Sequence, residues 1–291
     1  MTERWRLIID PPDGAAWNMA VDEALLRAAE RGTSEPVLRL YRWEPAAVSL
    51  GYFQEWGRAV NEAACREAGI DIVRRPTGGR AVFHHREVTY SVVLPPGHPM
   101  GGQTVMEGYR RISEALQAGL ARLGIAAVLA RPAASPAGEG REALAGACFD
   151  SASRYELEWN GRKVVGSAQL RRASGAVLQH GSIPLEFDAE LTARVLAPGG
   201  RGARFLALIL AERAGSLSQA LGRPVEFDEA APAIAEGFAA AAGVVWDRGF
   251  LTEEERRVAS QLAASRYATD EWNRIRPAGR TDRGEAGRGG G

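Results

Sequence analysis

An α/β chain is predicted, because helical and strand-type apolar periodicities alternate along most of the sequence, and because two turn dipeptides punctuate one run of β-type segments. Residues 14–32 (GAAWNMAVDEALLRAAERG) place Trp17, Ala20, Val21, Ala24, Leu25 and Ala28 on one helical face, with Asp13 as the expected cap. Val105, Tyr109, Ile112, Leu116, Leu120 and Leu123 define a second helix over Val105–Leu123. Asn160-Gly161 between β-type segments is the strongest short hairpin signal. With a second turn at Ser174-Gly175, it predicts a meander of Tyr155–Trp159, Lys163–Leu170 and Val177–Glu186.

The other elements follow from the same periodicities. Val37–Tyr41 and Val48–Tyr52 read as strands around a turn at Glu44–Pro45, and Ala59–Glu67 as a short helix carrying Cys65. Ile70–Arg74 and Ala81–Leu94 are strand regions, the latter with Val88, Tyr90, Val92 and Leu94 on one face. Ile125–Ala130 is a further strand. Residues 131–147 (RPAASPAGEGREALAGA) are rich in Pro, Gly, Ala and Ser, which predicts a mobile loop leading to Cys148. From Asp188 the pattern is helical, broken at Pro198-Gly199-Gly200, Gly215, Gly222 and Pro224. Leu251–Tyr267 is the last helix, where Thr252 and Glu255 form a capping box. The Gly/Arg-rich tail, 277–291, has almost nothing to bury and is expected to be disordered.

Composition narrows the function classes. Of 291 residues, 45% are apolar and 25% charged, ordinary for a globular protein with a sizeable core. Formal net charge is zero, so the molecule presents no strong field toward nucleic acid or an anionic membrane. The N-terminus has no signal-peptide pattern, and no stretch approaches the roughly 18 apolar residues of a membrane span. Cys65 and Cys148 are too few for a disulfide framework or a structural zinc site. A reduced, cytoplasmic setting is expected.

Lys163 is the sole lysine, against thirty-five arginines. On a solvated surface either cation serves, but an ammonium can be desolvated and shifted in pKa, which guanidinium cannot. Lys163 is therefore either a working group or a survivor of a drift toward arginine. Arg74-Arg75-Pro76-Thr77-Gly78-Gly79-Arg80 lies between two predicted strands. Its glycine pair lets backbone N–H groups line a concavity and its arginines offer anion contacts; a plain solvated turn accounts for it equally well. Cys148 sits where the loop meets a strand, with Asp150 nearby and Lys163 across the hairpin. A thiol is about 3% ionised at neutral pH and a nearby ammonium raises that fraction, so Cys148 is either a nucleophile or a small core residue. Cys65, on its helix, reads as the latter. His84 and His180 fall in strands as core histidines or ligands, and Gly181 allows close backbone approach. His85 and His98 carry no readable role.

RRPTGGRAVFHHREVTYSVV (74–93) resembles the signature of the lipoate/biotin protein ligase and octanoyltransferase superfamily. GRKVVGSAQLR (161–171) resembles its lysine motif, and LQHGSIPLEF (178–187) its His-Gly strand. NMAVDEALL (18–26) and YATDEWN (267–273) match in the same order. Within that superfamily, CFDSASRYELEWNGRKVVGSAQ (148–169) is most similar to the cysteine-dependent octanoyltransferase branch. Arg80 stands where many ATP-dependent relatives have glycine, and His85 where an acidic residue often follows the motif histidine.

The resemblance implies an α/β fold with a mixed β-sheet flanked by helices, biotin/lipoate protein ligase-like. Residues 1–187 would form the catalytic core and 188–276 a mostly helical C-terminal part of the same domain. It implies transfer of octanoyl from acyl carrier protein to a lysine of a lipoyl-domain protein, such as the glycine-cleavage H protein. No cofactor or metal is implied. Cys148 would carry the acyl thioester, with Lys163 tuning and positioning it. Arg75, Gly78, Gly79, His84, Gly166, Ser167, Ala168, His180 and Gly181 would line the acyl and carbonyl pocket. Three alternatives remain open: an ATP-dependent lipoate ligase, an amidotransferase moving octanoyl between lipoyl-domain proteins, and a non-enzymatic lipoyl-domain escort.

Overall fold

The computed structural model describes residues 2–130 and 156–275. Cys148, Asp150, the loop expected at 131–147 and the tail from 277 lie outside the described residues. In chain order the elements are β1 (Glu3–Ile9), α1 (Ala15–Glu30), β2 (Val37–Tyr41), β3 (Ala47–Leu50), α2 (Trp56–Ala59), α3 (Glu62–Glu67) and β4 (Asp71–Arg74). There follow β5 (Val82–His84), β6 (Glu87–Leu94), α4 (Val105–Arg122), β7 (Val128–Leu129), β8 (Leu157–Trp159), β9 (Arg162–Arg171) and β10 (Val177–Pro184). The remainder comprises α5 (Ala189–Leu196), α6 (Ala203–Arg213), α7 (Leu217–Leu221), α8 (Phe227–Ala242), β11 (Val244–Arg248), α9 (Glu253–Leu262) and α10 (Asp270–Arg274).

Eight strands form one mixed sheet in the order β11-β1-β2-β6-β10-β9-β8-β7, and β4-β3-β5 form a second. In the large sheet β1 runs parallel to both β2 and β11, while the remaining neighbours are antiparallel. The meander is β8-β9-β10, and its first turn places Asn160 and Gly161 at φ of 49° and 73°. Positive φ at both central residues matches the right-handed twist of the flanking strands. Val88, Tyr90, Val92 and Leu94 do share a face, packing against Ile112, Leu116 and Leu120 of α4 and Ile234 and Phe238 of α8. The opposite face packs on Met19, Ala20, Leu25 and Leu26 of α1, which Val258 and Leu262 of α9 cover in turn.

Several local expectations shift. No strand was expected at Glu3–Ile9 or Val244–Arg248; the two pair in parallel at one edge of the large sheet. Gly14, not Asp13, is the N-cap of α1, and no side chain caps it; the Asp13 carboxylate accepts from the Gly14 N–H at 2.7 Å. Ala59–Glu67 divides into α2 and α3, because Asn61 caps α3 through the Ala64 N–H. Ala81–Leu94 breaks after His84, where Arg86 takes φ 47°. Ile125–Ala130 is reduced to the two residues of β7. Thr252 and Glu255 form the expected capping box, and α9 ends in a π turn over Ala263–Tyr267. Among the described residues no helix is long and apolar enough to cross a membrane.

Candidate active site

The register of the central strands lines up the site. Tyr41 on β2 faces Thr89 on β6, Thr89 faces Ser182 on β10, and Ser182 faces Gly166 on β9. Residues directly opposite in antiparallel strands project to the same face. The row therefore crosses three strand spacings, roughly 14 Å, beneath α1. A cavity lies over it, with about 430 Å³ of space when the part open to solvent is counted. Met19 of α1, Tyr41, Trp43, Val82 and Thr89 line one part. Arg75, Gly79, His84, Gly166, Ser167, Ala168, His180 and Gly181 line it as well, so all but one of the pocket residues assigned by resemblance meet there. Gly78 is the exception. It stands outside the lining and contributes its carbonyl oxygen to Arg75.

Two parallel relays fix the polar groups of the cavity. In the first, His180 Nδ1 lies 2.9 Å from Asp22 Oδ2 and His180 Nε2 lies 2.7 Å from Thr77 Oγ1. Burial lowers the His180 pKa, outweighing the Asp22 hydrogen bond and charge that raise it, so the imidazole is held neutral. Burial alone would raise the Asp22 carboxyl, but the His180 hydrogen bond and the Arg39 charge hold it below the usual value. The neutral ring donates from Nδ1 to Asp22 and accepts the Thr77 hydroxyl at Nε2. In the second relay, His84 Nδ1 lies 2.7 Å from Glu87 Oε1 and His84 Nε2 lies 2.7 Å from Ser49 Oγ.

Arg75 connects the relays. Its guanidinium donates to Thr77 Oγ1 at 3.1 Å, to Ser49 Oγ at 3.2 Å, and to the carbonyls of Ser49, Gly78 and Arg80 at 2.9, 2.7 and 2.7 Å. The sequence suggested an anion contact; the side chain instead shapes the glycine loop from within. That loop seats closely on β3, because a Cβ on Gly51 would fall 1.9 Å from the Gly79 carbonyl oxygen. Arg74 points away from the cavity and donates to five carbonyls: those of Gly51, Tyr52 and Gln54 before it and of Trp272 and Asn273 near the C-terminus. The YATDEWN segment therefore buttresses the same loop.

Lys163 is buried at the β9 end of the row. Its Cε lies 3.1 Å from where a Cβ on Gly166 would stand, so the absent side chain at Gly166 makes room for the lysine stem beside the cavity. Its ammonium donates to Glu156 Oε1 at 2.5 Å, and Glu156 is buried too. Gly181 lines the cavity and is also packed tightly against protein. A Cβ there would lie 2.1 Å from the Gly166 carbonyl oxygen and 2.7 Å from Tyr90 Cε1, so its close approach is to protein. Cys65 lies in a core cluster on α3, where burial pushes its thiol up to about 11. His98 caps the 3-10 turn at Pro99–Gly101 and reaches Glu3, while His85 is exposed and stacks on Phe83.

Sequence reasoning missed Asp22, Trp43, Ser49, Thr77, Glu87 and Glu156. Asn18 and Asp22, one helical turn apart within NMAVDEALL, were the available signal, since they stack beside the apolar face of Val21 and Leu25. Among the described residues no three His, Cys, Asp or Glu side chains are grouped to hold a metal ion.

The sequence matches the family described as lipoyl protein ligase A/B catalytic domain over residues 14–239, and the chain belongs to that family. It is similar to the octanoyltransferase LipM of Kyrpidia tusciae, 48% identical over 276 residues that cover 93% of this chain and 98% of the relative. The octanoyltransferase LipM of Bacillus subtilis is 40% identical over 273 residues, covering 93% and 98%. Among solved structures, the bipartite lipoate protein ligase of Thermoplasma acidophilum superposes with a TM-score of 0.77 at 26% identity, covering 96% of this chain and 99% of that one.

Proposed function

We propose that the chain is an octanoyltransferase that takes an octanoyl group from acyl carrier protein, holds it as a Cys148 thioester, and passes it to a lysine of a lipoyl-domain protein. The observation that carries this reading is the mostly apolar cavity running from Tyr41 and Trp43 to Gly166, with the chain's only lysine buried at the Gly166 end. An extended eight-carbon acyl group is roughly 9 Å long, given C–C bonds near 1.5 Å, and fits within the 14 Å row. At about 0.8 kcal/mol per buried CH₂, the chain supplies several kcal/mol of binding.

On this reading the Cys148 thiolate attacks the donor carbonyl, and the carrier thiolate leaves and takes up a proton. The neutral acceptor amine then attacks the enzyme thioester, loses its proton, and expels the Cys148 thiolate as the amide forms. Lys163 favours the thiolate by charge, while Glu156 and Gly166 fix the direction of its ammonium. Among the described residues β8 pairs with β9 only as far as Val165, which supports those N–H groups of Gly166–Ala168 that alternate away from β10 as donors to the reacting carbonyl oxygen. Residues 1–187 form the catalytic core on this reading, and 188–276 complete the same domain. The glycine-cleavage H protein is the proposed acceptor, and the reaction is placed in the cytoplasm.

Purified protein, octanoyl-carrier protein and H protein should give octanoylated acceptor with ATP omitted. Transfer that requires free octanoate or lipoate plus ATP would instead establish a ligase, the class of the Thermoplasma acidophilum structure. Transfer only from an octanoylated lipoyl-domain donor would establish an amidotransferase.

A further inference from the structure

One side chain lines both the cavity's far end and a cleft beyond it. Trp43 follows β2 at the end of the row opposite Gly166 and lines the acyl cavity. It also lines a second cleft, bounded by Glu44, Pro45, Arg86, Leu185 and Glu226. Glu44, Pro45 and Glu226 are exposed, so that cleft opens to solvent and the indole stands between it and the cavity. Three contacts hold the ring in place. It stacks on His84 with centroids 4.2 Å apart and an interplanar angle of 14°. It leans on Tyr41 at 5.8 Å. Its Nε1–H donates to Thr89 Oγ1 at 2.7 Å, and the Thr89 hydroxyl donates in turn to Glu87. An indole held by a stacked imidazole, a tilted phenol ring and a hydrogen bond at its nitrogen resists displacement by a longer ligand.

We infer that Trp43 is the residue that sets the acyl chain length this enzyme accepts, by walling the methyl end of the cavity from the outer cleft. The inference rests on the acyl-transfer reading, with the carbonyl at the Lys163 end. The indole reaches Thr89, so two strand spacings, roughly 10 Å, remain between it and Gly166, and a ten- or twelve-carbon chain seated with its carbonyl there would have to enter the space of the indole. Removing the indole joins the cavity to the cleft and lets the chain continue outward.

The test compares the wild type with Trp43→Ala, Trp43→Leu and Trp43→Phe, using carrier protein loaded with six-, eight-, ten- and twelve-carbon acyl groups. Acyl-enzyme is read by intact mass spectrometry, and kcat/KM by transfer to a lipoyl domain. The wild type should fall off beyond eight carbons. Two newly accommodated methylenes are worth roughly tenfold, so Trp43→Ala should raise the twelve-to-eight ratio of kcat/KM at least that much. Trp43→Leu, which keeps an apolar plug, should extend the preference to ten carbons and serves where the alanine variant does not fold. Trp43→Phe should keep the wild-type profile. An unchanged length profile in the alanine and leucine variants of an active enzyme overturns the assignment, as does a wild type indifferent to length. A wild type that takes no acyl group from any donor overturns the acyl-transfer reading and the assignment with it.

Discussion

Lys163 Nζ and Glu156 Oε1 lie 2.5 Å apart, with both side chains almost wholly withdrawn from water. Such a pair is weak evidence for stability by itself, since desolvating two charges offsets much of their attraction. Removing one partner is another matter. Lys163→Met strands a buried carboxylate and should cost about 3–5 kcal/mol by thermal or chemical unfolding.

Lys163→Arg tests the chemistry. It keeps the charge, but the planar guanidinium does not fit between Glu156 and the bare Cα of Gly166. Octanoyl transfer should fall roughly 100-fold, comparable with loss of one charge-stabilising donor in other acyl-transfer sites. A normal rate in a folded Lys163→Arg protein would leave the lysine a structural role only.

The two glycines contrasted by the loop make opposite predictions. A Cβ on Gly51 meets the Gly79 carbonyl at 1.9 Å, whereas one on Gly78 meets nothing within 4 Å. Gly51→Ala should destabilise by about 1–3 kcal/mol, because backbone must move. Gly78→Ala should stay within about 0.5 kcal/mol of the wild type. Paired denaturation curves decide this, and equal losses at both positions would contradict the seating of the loop on β3.

The His180 environment makes stability depend on pH. Burial holds its folded pKa below 6.5, the usual value, so the unfolded chain takes up a proton first as pH falls. The contribution is complete above about 6.5 and shrinks as pH falls from there toward the folded pKa. Asp22, held below its usual 3.8, adds a contribution lost only in more acid solution. His180→Gln should therefore flatten the decline in melting temperature between about pH 7 and pH 5. A variant that declines as steeply as the wild type would refute the neutral imidazole.

Cys65, pushed up to about 11 by burial, should resist alkylation in the folded protein. Peptide mapping after iodoacetamide should find the label on Cys148 and not on Cys65, and Cys65→Ala should keep full transfer activity. Rapid native labelling of Cys65 would contradict its place in the core.

Much of the fold could be read because long periodic segments dominate it. α4 and the β8-β9-β10 meander each carry a pattern that a single burial geometry explains. β1 could not be read in that way, since Trp5-Arg6-Leu7-Ile8 is buried throughout and does not alternate. Its partner β11 lies more than two hundred residues away in sequence. The site divides along similar lines. Glycines, histidines and Lys163 announce themselves by residue type, whereas Glu87 and Glu156 resemble ordinary surface acids and Asp22 is marked only by its place one turn from Asn18. What sets them apart is their partners: Arg39 and His180 for Asp22, His84 and Ser182 for Glu87, and Lys163 for Glu156.

The buttress between Arg74 and residues 272–273 bears on how the enzyme is born. Five carbonyls hold that guanidinium, two of them supplied by Trp272 and Asn273, and Glu23 of α1 likewise awaits Arg266 and Tyr267. A nascent chain whose residues 266–273 are still inside the ribosomal tunnel lacks those partners, so the cradle around the glycine pair is completed only once that segment has emerged. Translation that stalls before residue 266 would leave a polypeptide with every residue lining the cavity but without the braces that Arg266, Tyr267, Trp272 and Asn273 supply.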